Sequence, residues 1–356
     1  MNIEDYFNCP NCNSDLNRIN NGYQCINCSS DFHHKGGLPN FLPEGINTEL
    51  SKIPHPEKLY RKAKKIGWET AAIEFTRDYL DSRDYIEYAD KQIISEAPGD
   101  FQYLLPINKE SIVLVIGVSW GNIISALTRN TKFVFALDVN ADLLHFSELR
   151  LQQERLSNIK LIQGASSSLP VKEMCFDAII LNGSFEQLVY ERLNNFSDQL
   201  VSDFLTKIFY ALKPDGILYI ATENRFNFNY FIGKKEAYSN LRFVTILPCK
   251  VVTHYFKLRR RINFRCAYFS SRKLKNMLVE SGFGNVVFNF PIPSYRNLRY
   301  MSEIENRAVY IYLIKLLGSF PKFSRLHSIA GLIFSFFPLS ILKFFWPDFC
   351  IVAKRP

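Results

Sequence analysis

The chain has no uninterrupted apolar stretch of the roughly 20 residues that a spanning helix needs. Its most apolar segment, Leu326 to Leu342, is broken near its end by Pro338. That pattern suits a helical cap, or an interfacial segment anchored by Phe334, Phe336, Phe337, Phe344, Phe345 and Trp346 beside Arg325 and Lys343, better than a span. The opening residues, MNIEDYFNCP, have neither the positive region nor the apolar core of a signal peptide, so a cytoplasmic setting is expected. Of eight cysteines, four fall in two tight pairs near the front, which implies no disulfide framework and fits a reducing compartment. Histidine is scarce too: beyond residue 55 only His145, His254 and His327 remain to serve a catalytic system that needs one.

What the chain does have is apolar substance and positive charge. Hydrophobic residues make up 47% of its 356 positions, enough for a sizeable core, so general disorder is excluded. The net charge of +9 suits nucleic acid, an anionic membrane surface or a phosphorylated substrate, and does not choose among them.

Residues 9–28 read CPNCNSDLNRINNGYQCINC. Cys9 and Cys12 form one Cys-x-x-Cys knuckle, Cys25 and Cys28 another. Four thiolates so spaced can close a tetrahedral Zn²⁺ site with no open position, a structural site whose metal would supply the folding energy of a segment too short for its own core. The alternative is a redox pair. The following SSDFHHKGGLPNFLPEG resembles the exit of the small zinc-ribbon domain related to the tRNA-methyltransferase activator, over about the first 45 residues.

The chain is organised around Ser111 to Asn140, SIVLVIGVSWGNIISALTRNTKFVFALDVN, which reads as strand, tight turn, helix and second strand. Such a βαβ unit places a ligand beyond the strand ends. Dinucleotide binding fits poorly, because Gly117 to Gly121 lacks the middle and last glycines of G-x-G-x-x-G. The same pentapeptide spells G-x-S-x-G, which would make Ser119 a hydrolase nucleophile with His254 as partner. Yet it follows the first strand of the sheet rather than a later one. Downstream, strands alternate with helices: strands over 158–163, 175–182, 217–222, 285–290 and 348–353, helices over 141–155, 197–212 and 270–281. Residues 57–97 read as helical, either packed beside the sheet or forming a lid.

The third reading rests on resemblance. Over roughly residues 100–356 the chain resembles the class I methyltransferases that use S-adenosyl-L-methionine (SAM): Gly117 to Gly121 after the first strand, Asp138 closing the second, Leu169-Pro170 then Phe176-Asp177, and Lys213 to Gly216. LNGSFEQL, ATENRFNFNYFIG and YFSSRKLKNMLVESGF with FPIPSYRNLRY look like segments of a bacterial subgroup associated with surface-polysaccharide assembly. The resemblance implies an α/β, doubly wound, mostly parallel seven-stranded Rossmann-like sheet. It divides the chain into a zinc ribbon (1–46), a linker and helical cap (47–106) and a methyltransferase domain (107–356) with a helical insertion at 295–347. It places SAM on Gly117, Ser119, Gly121, Asp138, Ala165, Ser166 and Asn182, with Asp138 accepting from both ribose hydroxyls and Asp177 structural. The family's usual acids are replaced by Val115 in the first strand and Ala165 after the third, and its middle glycine by Ser119. Glu186, Glu223 and His254 are the candidate bases, while Arg225, Lys234 and Lys235 could hold an anionic acceptor. The expected acceptor is a saccharide or lipid-linked glycan, with peripheral membrane contact through 326–346. RNA, bound by the basic run at 257–261, is the alternative, as is a SAM-fold binding module that has lost catalysis.

Overall fold

The computed structural model describes residues 3–46, 48, 55–79, 89, 93–186, 188, 197–236, 241–248, 251–252, 268–318 and 336–356. His254, the run at 257–261 and residues 326–335 lie outside them.

The chain begins with a small antiparallel sheet of β1 (Leu16–Ile19), β2 (Gly22–Cys25), β3 (Asp31–Lys35) and β4 (Leu38–Pro39). This ribbon docks on the larger sheet through backbone and aromatic contacts. Phe7 bridges to Val171 and Asn40 to Gln163, and the Phe41 N–H donates to the Gln163 carbonyl at 2.8 Å. Tyr6 and Phe7 then pack against Phe135 of the main core, tilted and edge-on, with ring centroids 4.7 and 5.9 Å away. The contact covers part of an edge that would otherwise present unpaired ladder groups.

The main sheet holds β5 (Ile112–Ile116), β6 (Phe133–Asp138), β7 (Ile159–Gln163), β8 (Phe176–Asn182), β9 (Leu212–Glu223), β10 (Gly284–Ser294), β11 (Asn297–Ser302) and β12 (Asp348–Lys354). They lie in the order β11-β10-β12-β9-β8-β5-β6-β7, with the five strands from β9 to β7 parallel and the other three antiparallel. All five residues of β5 are buried. Ile112, Leu114 and Ile116 pack into one hydrophobic cluster and Val113 and Val115 into the other, so both faces of the strand are covered. Burial of each such branched side chain contributes about 1.5–3 kcal/mol, which explains the near-continuous apolar reading of this strand. Asp177 fixes the opposite end: its carboxylate accepts from the Ile112 N–H at 2.7 Å and from Lys213 at 2.8 and 2.9 Å.

Two expectations are corrected. The sheet has eight strands rather than seven, and the insertion before the last strand is not wholly helical. Its first part, Asn297–Ser302, turns back at Tyr295-Arg296 and pairs antiparallel with β10 as an edge strand, ahead of helices Arg307–Gly318 and Leu339–Phe344. The apolar alternation of NLRYMS matches a half-buried edge, a short signal easily lost beside the longer aromatic stretch.

The helices Pro56–Ile66 and Trp68–Tyr79 form a cap on the helix Ala141–Gln153. Their anchor is Arg150, 1% exposed, whose guanidinium lies 4.0 Å from the Trp68 ring and 2.7 Å from Glu154. It also donates to the carbonyls of Ile93, Ile94 and Trp120, tying the cap to the glycine turn beneath it.

Candidate functional site

The strand order reverses between β6 and β8 on either side of β5, and beyond the carboxyl ends at such a point an open α/β sheet forms its ligand crevice. Ile116 pairs with Leu137, and the Gly117 N–H donates to the Leu137 carbonyl at 2.8 Å, so the glycine turn begins level with Asp138. Asp138 pairs in turn with Gln163, and the pairing of Val115 with Ile180 carries Asn182 to the same height. Ser184 bonds the Ile116 carbonyl and closes the gap from the other side.

Asp138 is 3% exposed. One carboxylate oxygen accepts from the Val118 N–H and the other from the Asn140 N–H, both at 2.9 Å. Burial pushes its pKa up to about 6, against the downward pull of the Asn140, Val118 and Val139 N–H groups. Each oxygen keeps a further lone pair, the valence a vicinal diol needs. Gly117 and Gly121 hold φ of 91° and 81°. A Cβ on Gly121 would meet Ser147 Oγ at 3.0 Å and Arg150 Cδ at 3.3 Å, so the turn passes too close to the neighbouring helix for any side chain. Ser119 occupies the middle of the turn at φ 49°, exposed, in the left-handed region where the resemblance expects glycine. Ala165 and Ser166 are buried just after β7, and Val115 is buried within β5.

These residues fit SAM. Asp138 can receive the ribose hydroxyls, the glycines clear room for backbone approach, and Asn182 presents a buried side-chain oxygen without a protein partner, an acceptor for the amino acid end of such a ligand.

The far side of the crevice is built differently. Glu223 ends β9 at 3% exposure, yet its oxygens meet Tyr230 Oη at 2.6 Å, Lys234 Nζ at 2.9 Å and Arg296 at 3.1 Å. Burial alone would raise its pKa. Arg296, Lys234 and the Tyr230 hydroxyl overcome that and hold it down at about 2. A carboxylate so held is a poor base, and the geometry makes Glu223 an anchor for two cations. Glu186 is fully buried and accepts from Thr222 Oγ1 at 2.6 Å and from the Glu223 N–H at 3.4 Å. Arg225, considered above as an acceptor contact, instead donates to the carbonyls of Thr245 and Leu247, bracing that loop.

Sequence reasoning met Tyr295 only as part of the FPIPSYRNLRY segment and gave neither it nor Arg296 a site role; the hairpin between β10 and β11 brings both here from more than 70 residues beyond Glu223. A Cβ on Gly183, at the end of β8, would lie 2.9 Å from Tyr295 Oη, so the phenol rests directly on the strand end; Arg296 Nε donates to it at 3.0 Å. Asp348, which pairs with Glu223 across β12, is pushed up to about 7 by burial and by that neighbour. The signal for the hairpin was the turn Ser294-Tyr295-Arg296-Asn297 within an otherwise strand-like stretch.

At the ribbon, all four cysteine sulfurs lie within 4.8 Å of one another. Cys9 and Cys28 Sγ are 3.6 Å apart, Cys12 and Cys25 3.3 Å. Tetrahedral zinc with bonds of about 2.3 Å places its sulfurs about 3.8 Å apart. The N–H groups of Asn27 and Cys28 point to Cys25 Sγ at 3.4 Å, as thiolate ligands require. The four cysteines therefore fit a closed structural zinc site.

A family model described as a methyltransferase domain matches residues 114–220, from β5 into β9. The ubiquinone/menaquinone biosynthesis C-methyltransferase UbiE of Wigglesworthia glossinidia brevipalpis is 26% identical over 51% of this chain and 70% of its own length. That of Blochmanniella pennsylvanica is 28% identical over 46% of this chain and 61% of its own. Among solved structures, Haemonchus contortus phosphoethanolamine N-methyltransferase 2 with SAM overlaps at a TM-score of 0.45, with 13% identity over 89% of this chain and 62% of that one. A Haloferax volcanii complex of a methyltransferase activator with a methyltransferase also overlaps at 0.45, with 12% identity over 80% and 97%.

Proposed function

We propose that this chain, a SAM-dependent methyltransferase by its methyltransferase domain and relatives, methylates an oxygen or nitrogen of a hydroxyl-rich acceptor, a saccharide or lipid-linked glycan. The observation that carries this reading is the polar wall at the ends of β8 and β9. There Glu186, Tyr295, and the Glu223-anchored pair of Lys234 and Arg296 set acceptors, a phenol and cations side by side. Lys234 and Arg296 are 41% and 47% exposed along their side chains, so they reach a ligand while their carboxylate partner stays inside.

Bound SAM would supply a methyl group already activated by its sulfonium. The protein's own part is then alignment and proton removal. Asp138 orients the cofactor, Glu186 takes the acceptor proton on its carboxylate, Tyr295 fixes the acceptor over Gly183, and Glu223 holds Lys234 and Arg296 in register. The cysteine ribbon braces the end of β7 through the Asn40–Gln163 bridge and the Phe41 hydrogen bond to Gln163.

A second reading comes from the relatives' names, which specify C-methylation in quinone biosynthesis. The test is to supply methyl-labelled SAM with a total glycolipid extract, a soluble saccharide pool and a quinone-precursor pool. Label in a glycan, released as a methylated sugar by acid hydrolysis, is the expected result. Label confined to a carbon of the quinone pool would overturn the saccharide reading.

A further inference from the structure

The excess charge of this protein is concentrated in one stretch. Residues 225–265 contain ten lysines and arginines and a single acid, Glu236, which equals the net +9 of the whole chain. Glu236 is itself buried, 1% exposed, while Lys235 and Arg242 beside it are exposed.

The described part of the stretch also exposes large apolar side chains. Ile232 is 71% exposed and Phe231 46%, and Phe243 (42%) closes on the same turn, with its ring 3.8 Å from where a Cβ of Gly233 would stand. Lys235 and Arg242 are exposed and pair through an isolated antiparallel backbone bridge. Phe231 meets the Phe345 ring at 5.5 Å, which joins the loop to the helix Leu339–Phe344. That helix adds Ile341, 40% exposed, and is preceded by Phe336 at 82%. Apolar tips rimmed by cations, beside a crevice whose Lys234 belongs to the same loop, form a surface of one character.

From this we infer that the face formed by residues 231–236 and 241–243 with the Phe336–Phe344 segment docks on an anionic lipid bilayer, setting the crevice mouth at the membrane surface. No helix of the described residues is long and apolar enough to cross a membrane, so the contact is one of insertion at the interface. The cations match the surface potential of acidic headgroups. Lipid suits the face better than RNA, because Ile232 and Ile341 gain by entering hydrocarbon and have nothing to stack on a base.

The test is co-sedimentation of the full chain with vesicles of phosphatidylcholine alone and of phosphatidylcholine mixed with phosphatidylglycerol. Binding to the mixed vesicles only is expected. Lys235→Gln and Arg242→Gln should each weaken it about fivefold, and Ile232→Ser combined with Phe336→Ser at least about tenfold. Calorimetric affinity for S-adenosylhomocysteine should stay unchanged in all of them, which establishes that they fold. Absent binding, binding indifferent to phosphatidylglycerol, or binding indifferent to Ile232 and Phe336 would overturn the inference. So would salt-sensitive binding of bulk RNA without vesicle binding.

Discussion

Two carboxylates stand at the same edge of the sheet, equally buried, and titrate in opposite directions. Asp138 at the end of β6 rises to about 6, and Glu223 at the end of β9 falls to about 2. The difference lies in what surrounds them. Among the described residues Asp138 is met by main-chain N–H groups, which offset part of its desolvation. Glu223 is met by two cations and a phenol, which overcompensate. The half proposed to take the cofactor thus keeps acceptor capacity, whereas in the half proposed to take the acceptor substrate the charges already pair with one another.

The most damaging way to break this contrast is Asp138→Ala. It removes the only ionisable acceptor at the end of β6 and should lower S-adenosylhomocysteine affinity by about a hundredfold or more, the scale of losing two hydrogen bonds to a charged group. Calorimetry measures it; retained affinity would place the cofactor elsewhere. Glu223→Gln should do the reverse. Cofactor affinity stays within about twofold, whereas methyl transfer falls and the protein loses about 1–3 kcal/mol in denaturant melts, because Arg296 and Lys234 lose their counter-charge but remain half in solvent.

Acid sharpens the contrast without mutation. The depressed pKa of Glu223 contributes stability that is complete above its unfolded value of 4.5 and disappears as pH falls through about 2. The raised pKa of Asp138 acts with the opposite sign: its stabilising share is complete below 3.8 and is lost as pH rises through about 6. Cofactor affinity depends on the ionised form, so it should drop by about tenfold per pH unit below about 6 while the fold persists. Binding that stays flat from about pH 7 to 5 would show that the ligand does not use the ionised Asp138 carboxylate.

The same contrast explains what the sequence made legible. The centre of the cofactor half comes from contiguous signals: the apolar run of β5, the turn at Gly117 to Gly121, and Asp138 closing β6, all within 30 residues, with Ala165, Ser166 and Asn182 added from the ends of β7 and β8. Periodicity and turn chemistry read such local patterns directly. The ribbon's paired cysteines are legible for the same reason. The acceptor half is assembled from Glu186, Glu223, Lys234, Tyr295, Arg296 and Asp348, brought together only by strand order and by an edge hairpin. No local rule ties Arg296 to Glu223: their partnership depends on β12 pairing with β9 and the β10–β11 hairpin pairing with β12. A glutamate at a strand end reads locally as a base, whereas its neighbours fit Glu223 as an anchor.

The smallest perturbation tests whether the cofactor half carries a residual strain of its own. Ser119 holds φ 49° in the middle of the glycine turn, a conformation that costs a side-chain-bearing residue roughly 1 kcal/mol and glycine little. Its side chain is exposed, so nothing is lost by removing it except the strain. Ser119→Gly should therefore stabilise the protein by up to about 1 kcal/mol, less the greater backbone entropy that glycine brings to the unfolded chain. Ser119→Ala keeps the strain and should leave both stability and methyl transfer near their starting values. The pair also decides the reading of the pentapeptide itself. If either variant abolished activity while S-adenosylhomocysteine still bound, the Ser119 hydroxyl would be chemically engaged, and the turn would have to be read as a nucleophile elbow after all. Retained activity in both, with higher stability in the glycine variant alone, would make Ser119 a strained stand-in for glycine beside the cofactor.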